Sequence, residues 1–218
     1  MAREHATVKQ KRAYDARNRT AQALRNRERV VKAAEQLFRR DGYANTTIAS
    51  IAADADVSPD TIYKSFGGKP GLVRAIRAKA LEGRGPAPAE QRSDELHTRD
   101  LDGREIIRAW GALTAEVAPL AAPILLLIHA AAATDPDVQE LLDEMDADRL
   151  RRMTDNARRL RAAGHLRRGV TLAQAADVLW TYSAPELYEL LVLRRGWSAK
   201  RYGRFVADAM IDALLDHE

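Results

Sequence analysis

The 218-residue chain contains no cysteine. This excludes disulfides, thiolate zinc sites and cysteine nucleophiles, and makes a reducing cytoplasm the expected setting. Other signatures of catalysis are absent as well. His5, His97, His129, His165 and His217 lie far apart and lack metal-ligand spacing. There is no Gly-x-Ser-x-Gly elbow. Gly67-Gly68-Lys69-Pro70 lacks the rest of a phosphate-binding loop and its closing Ser or Thr. Asp143-Glu144 sits in a charged stretch and reads as a solvated face. The expectation is a protein that is not an enzyme and carries no metal or cofactor.

Apolar runs are short. Pro119 to Ala133 falls below the ~20 residues needed to cross a bilayer. It also contains His129 and two prolines, so a buried central helix is expected and no membrane partner. Met1 to Thr20 is basic and polar, without the apolar centre of a secretory signal. No segment alternates as a strand does, and nothing repeats.

What remains is helical period almost throughout. Hydrophobic residues make up 46% and charged residues 30%, which suits a packed all-α core beneath a solvated surface. The net charge of +4 is unevenly divided. Residues 1–80 hold 17 Lys and Arg against 8 Asp and Glu, a net +9; residues 81–218 hold 18 against 23, a net −5. A basic first third points to a polyanionic partner.

The periodicity predicts a basic flexible arm over 1–19, then a helix from about Thr20 to Asp41, stopped by Gly42. A short helix follows from about Thr47 to Ala55, capped by Thr46 or Thr47. A third spans about Ser58 to Phe66, with Ser58 as cap and Pro59 in the first turn. A fourth runs from about Pro70 to Leu81. Gly83 to Asp100 is polar and rich in Gly and Pro, and reads as a flexible loop. Capping boxes are expected at Asp102/Glu105 and Thr171/Gln174. Helices are expected at 102–117, 119–133 and from Asp135-Pro136 to about Ala163. Others begin near Thr171, at Pro185 and at Ser198, where Tyr202, Phe205, Val206 and Met210 should face inward.

The informative stretch is Gly42 to Leu72. Two short amphipathic helices flank a tight turn at Asp56-Val57, the layout of a helix-turn-helix whose second helix enters the major groove of DNA. Ser58, Pro59, Asp60, Thr61 and Lys64 are the candidate groove-facing residues, and Tyr63 offers a hydroxyl to a phosphate. Lys69 and the Thr47 cap are candidate phosphate contacts. Asp60 is repelled by phosphate but suited to accept from cytosine N4.

These residues resemble the tetracycline-repressor (TetR) family. The resemblance rests on Gly42-Tyr43, Thr46-Thr47, Ile51-Ala52, Val57-Ser58, Thr61-Ile62-Tyr63, Phe66, Lys69 and Leu72, and covers about residues 20–80. Asp56 stands where the family usually has Gly, in a turn that wants φ > 0; Asp tolerates that conformation better than most residues. The resemblance implies a helix-turn-helix domain over 20–68 and a helical ligand-binding and dimerisation domain over 69–218. It implies a homodimer formed through about 171–183 and 185–195, binding a palindromic duplex operator. A mainly apolar small-molecule effector would release it, with Trp110 and His129 as candidate ligand contacts. The alternative is a helical dimeric interaction module that does not bind DNA.

Overall fold

In the computed structural model the backbone is described for residues 2–216 and the side chains for 20–216. Every regular element among these is helical: α1 (Ala2–Asp41), α2 (Ile48–Asp54), α3 (Pro59–Phe66), α4 (Lys69–Glu82), α5 (Ala89–Leu96), α6 (Gly103–Ala132), α7 (Pro136–Ala162), α8 (Leu172–Tyr182), α9 (Pro185–Tyr188) and α10 (Ala199–Leu214). A π-helical turn, Glu189–Arg194, continues α9. The chain is thus all-α. It forms two compact units, Met1–Ile76 and Arg77–Glu218. The division falls inside α4, whereas the sequence reading placed it after Gly68.

The helix ends follow local chemistry. Ser58, Asp102, Thr171 and Ser198 each accept from a backbone N–H in the first turn of the helix they precede. At Asp102 and Thr171 the third-turn-position Glu105 and Gln174 reach back to the cap N–H, completing both expected boxes. Gly42 stops α1 with φ 82°.

Four expectations are corrected. First, α1 begins at Ala2, not near Thr20; the side chains of residues 1–19, where the basic arm was expected, lie outside the described ones. Second, the Gly83–Asp100 segment is not all loop. Ala89, Ser93 and Leu96 share one face at helical spacing, and burying them turns AEQRSDEL into α5. Third, the separate helices at 102–117 and 119–133 are one helix, α6, with Pro119 and Pro123 inside it. Each proline removes a ladder bond, but burial of Ala121, Ala122, Ile124 and Ile128 carries the helix through. By length and composition α6 is apolar enough to cross a membrane; here it packs against α5, α7, α9 and α10. Fourth, Phe205 is 39% exposed instead of inward, its ring resting edge-on against Trp197 at 5.5 Å.

The first unit has a small core of Val30, Ala34, Leu37, Phe38, Ile51, Ile62, Leu72 and Val73. In the second, α6 and α10 form the most extensive helix pair. They meet at two glycines. A Cβ on Gly111 would lie 2.5 Å from the Gly203 carbonyl oxygen and 2.7 Å from Ala207 Cβ; one on Gly203 would strike the Gly111 carbonyl. Neither residue needs an unusual φ, so it is the close approach that demands glycine. Gly203→Val should therefore cost about 3 kcal/mol and lower Tm by roughly 6–12 °C, as overpacking against backbone does. Ala112→Val, on the exposed side of the same turn of α6, should change Tm by less than about 2 °C; scanning calorimetry of both variants checks this.

Candidate nucleic-acid interface and internal cavity

The first unit presents α3 to solvent. Ile62 is fully buried, which fixes the rotation of the helix. The opposite face then shows Ser58, Pro59, Asp60, Tyr63, Lys64 and Ser65, all exposed, with Thr61 half-buried. Tyr63 is the most exposed aromatic side chain among the described residues of the unit, at 56%. Ser58 Oγ accepts from Thr61 N at 3.2 Å and lies 2.9 Å from the Thr61 hydroxyl. Pro59 takes the first helical position and Gly67 closes the helix with φ 74°. All six predicted residues of α3 and its cap thus fall on or beside one short helix.

The turn into α3 behaves as the sequence suggests. Asp56 is the one described non-glycine residue with positive φ, at 51°. Arg29 holds it, with Nη2 donating to the Asp56 carbonyl at 3.4 Å and Nη1 3.9 Å from the carboxylate. The carboxylate is almost fully exposed, so that ion pair contributes little. Within α3, Lys64 Nζ sits 2.6 Å from Asp60, one turn back. Two residues expected to meet DNA separately are therefore paired with each other, a link that their i,i+4 spacing made readable.

Thr47 caps α2, accepting from Ser50 N at 3.0 Å while Ser50 Oγ accepts from Thr47 N at 3.2 Å. Its hydroxyl is exposed beside the first turn of α2. Lys69 points elsewhere than expected. Its Nζ donates to the Tyr43 carbonyl at 2.6 Å and lies 4.1 Å from the Tyr43 ring centroid. It ties the start of α4 to the loop after α1.

The second unit holds a partly open cavity of about 660 Å³. The second half of α4 contributes Arg77, Ala78 and Leu81; α5 contributes Ala89 and Ser93. The cavity face of α6 includes Trp110, Val117 and Leu125, and α7 supplies Arg149, Arg152, Met153 and Asn156. Leu179 and Tyr182 of α8, Tyr188 of α9, and Tyr202 and Val206 of α10 close it. Trp110 thus lines the cavity. His129 does not: its Nδ1 is 2.6 Å from Glu186 Oε1, linking α6 to α9. The two candidate ligand contacts are not brought together.

Sequence reasoning also missed a clasp beside this cavity. Glu116 on α6 accepts from both terminal guanidinium nitrogens of Arg92 of α5, at 2.6 and 3.0 Å. It also accepts from the backbone N–H groups of Arg84 and Gly85. Side chains on Gly83 or Gly85 would collide with this pair. The Arg92 hydrogen bond, reinforced by the Arg84 N–H, holds the Glu116 carboxyl down at about 2, against an ordinary 4.5. Arg149, in contrast, is pushed below the usual arginine value by burial.

Three comparisons bear on this geometry. Residues 30–76 match the family model of bacterial regulatory proteins, tetR family. An uncharacterized HTH-type transcriptional regulator of Bacillus subtilis, YvkB, is 39% identical over 74 residues, spanning 34% of this chain and 38% of that protein. The match therefore covers under half of that relative's length. Among solved structures, a SmeT–triclosan complex superposes with TM-score 0.66 at 24% identity, covering 88% of this chain and 92% of that one. NalD, the secondary repressor of the MexAB-OprM multidrug efflux pump in Pseudomonas aeruginosa, superposes with TM-score 0.68 at 18% identity, covering 90% and 100%. At these identities the structures establish a shared fold.

The Glu116 clasp has a pH signature. A carboxyl whose folded pKa is depressed contributes stability above its unfolded value and loses it as pH falls toward the folded one. Glu116→Gln should be less stable than the native chain by about 1–2 kcal/mol above pH 5. The gap should close between about pH 4.5 and pH 2. Denaturant midpoints across that range measure it; a gap independent of pH would contradict the assignment.

Proposed function

We propose, for a chain that belongs through residues 30–76 to the tetR family of bacterial regulatory proteins, that it is a ligand-responsive transcriptional regulator. It acts as a cytoplasmic homodimer on a palindromic duplex operator, and binding of a small molecule in the cavity releases it. The observation that carries this reading is α3. It is an eight-residue helix, capped at both ends, whose exposed residues apart from Pro59 are polar or aromatic.

In the complex, α3 would lie in the major groove. Tyr63 and the Thr47 cap would meet phosphates, and Ser58, Pro59, Thr61, Asp60 and Lys64 would face base edges. Lys69 would act mainly by fixing the loop after α1, since Tyr43 already engages its ammonium. The surplus of basic residues in the first 80 supplies the long-range attraction. A helical module that does not bind DNA would need none of this outward chemistry.

The effector would bind against Trp110; His129 is engaged by Glu186, so Trp110 is the predicted contact that the cavity retains. Arg77, Ala78 and Leu81 of α4 line the cavity, and α4 begins in the first unit, so a ligand that shifts α4 reaches the DNA-binding residues along one helix. Coupling of about 1–3 kcal/mol would lower operator affinity roughly 5- to 150-fold.

For the dimer, Leu179 and Leu191 are buried within their own chain, at 2% and 8%. The free apolar surface of that region is Leu190 and Leu193, exposed at 51% and 55%. They stand on the π-helical turn after α9 and are the better candidates for the subunit contact.

Selection from fragmented genomic DNA, followed by titration across salt, tests the DNA reading. The logarithm of affinity should fall linearly with the logarithm of salt. Tyr63→Ala should weaken binding at least ~10-fold with little change in Tm, because more than half of the residue is already exposed. No enriched fragment, or binding indifferent to salt, would refute the function. Separately, light scattering should give twice 24.2 kDa for the native chain and a folded monomer for Leu190→Glu; a Leu190→Glu dimer would remove that surface from the interface.

A further inference from the structure

The ion pair on the outer face of α3 has the dimensions of a base-pair edge. Resting on the reading of α3 as the helix that enters the major groove, we infer that Asp60 and Lys64 dock as one unit on a single G·C base pair of each half-site. Lys64 donates to the guanine and Asp60 accepts from the cytosine, so the pair fixes both the identity and the strand order of that base pair. Lys64 Nζ lies 2.6 Å from Asp60 Oδ2, and both side chains stand in solvent, 75% and 70% exposed. Among the described residues neither has a second ion-pair partner. On the same helix the Ser58 and Thr61 hydroxyls are engaged with each other at 2.9 Å, and Pro59 has no N–H to give. The pair keeps most of its capacity: the ammonium has further donors and the carboxylate further lone pairs. Pairing also settles how an acidic group can enter the groove. Alone, Asp60 would be repelled by the phosphates; beside Lys64 it belongs to a neutral unit.

The match to G·C is one of spacing and of order. In the major groove a G·C pair shows guanine N7 and O6 as acceptors and the cytosine N4 amino group as a donor. O6 and N4 are hydrogen-bonded to each other, so they lie about 3 Å apart, close to the separation of Nζ and Oδ2. The ammonium over O6 also reaches N7, while the carboxylate takes the free N4 hydrogen. A T·A pair keeps the order of acceptor and donor, with thymine O4 and adenine N6, but fits less well. The thymine methyl then crowds the ammonium, and adenine N7 faces the carboxylate. The two remaining choices, C·G and A·T, set the ammonium over an amino group and the carboxylate over a carbonyl oxygen. The pair therefore ranks G·C first, T·A second and the reversed pairs last.

Selection of duplexes from a random library by the full-length protein tests this, with Asp60→Ala, Lys64→Ala and the exchange of Asp60→Lys with Lys64→Asp in one chain. The native protein should enrich G·C at one position of each half-site at least ~10-fold over the same base pair with its strands reversed. Both single variants should relax the preference at that position and at no other. Asp60→Ala, having lost a negative charge, should also bind unselected DNA more tightly. The exchange keeps the pair and its spacing but reverses donor and acceptor, so the enriched base pair should become C·G at the same position. These are exposed substitutions, so the Tm of each variant should stay within about 2 °C of the native value. An exchange variant that binds yet keeps G·C, or shows no preference there, would overturn the inference. Single variants that relax two different positions would do the same, since the two residues would then read separately. In both cases DNA binding itself stands. If the native protein enriches no sequence, the reading of α3 fails and this inference fails with it.

Discussion

The second unit depends on one backbone contact, the crossing of α6 and α10 at Gly111 and Gly203. With no side chain on either residue, the helices approach until each carbonyl oxygen takes the space that a Cβ on the other would need. Trp110 precedes one glycine and Tyr202 the other, and both side chains line the cavity. The crossing therefore sets the separation of two cavity walls as well as the packing of the core. It also explains how a partly open cavity of this size persists in a chain of this length. Backbone contact holds the helices together next to it, so side chains need not fill it.

The first unit is organised on another principle. Its two short helices are fixed by their ends. Thr47, Ser58 and Gly67 satisfy the terminal backbone groups of α2 and α3, while Ile51 and Ile62 anchor one side of each. Helices this short are marginal alone. Capping and a single buried isoleucine each make them rigid enough to present an outer face. Asp56 shows the tolerance of the design: a turn suited to glycine is kept with aspartate, its carbonyl held by Arg29.

How much could be read beforehand follows the range of the interactions. The caps at Ser58, Asp102, Thr171 and Ser198 were legible because each is a signal within four residues. So was the helix-turn-helix, where Ile62 inward and Tyr63 outward follow from period alone. The Asp60–Lys64 pair lay in plain view at i,i+4 but was read as two separate contacts. Other features depend on partners far along the chain. Nothing near Gly111 announces Gly203, and nothing near Glu116 announces Arg92. His129 looked like a ligand group in an apolar run until Glu186 met it. Pro119 looked like a helix end because its local cost is visible, while the burial that offsets it is not. Leu179 and Leu191 lie in the segments expected to form the dimer, but an apolar stripe does not say whether its own chain will cover it.

The two prolines of α6 have a mechanical consequence. Pro119 and Pro123 have no N–H to offer the carbonyls of Ala115 and Pro119, so two rungs of the helix ladder are missing within five residues. Those rungs fall where Val117, Ala118 and Ala121 face the cavity. A helix flexes most readily where its ladder is interrupted. One wall is therefore compliant, while the opposing side, pinned to α6 through Gly203, is stiff. Bending α6 about its middle would change the volume of that space without disturbing the glycine crossing that holds the unit together.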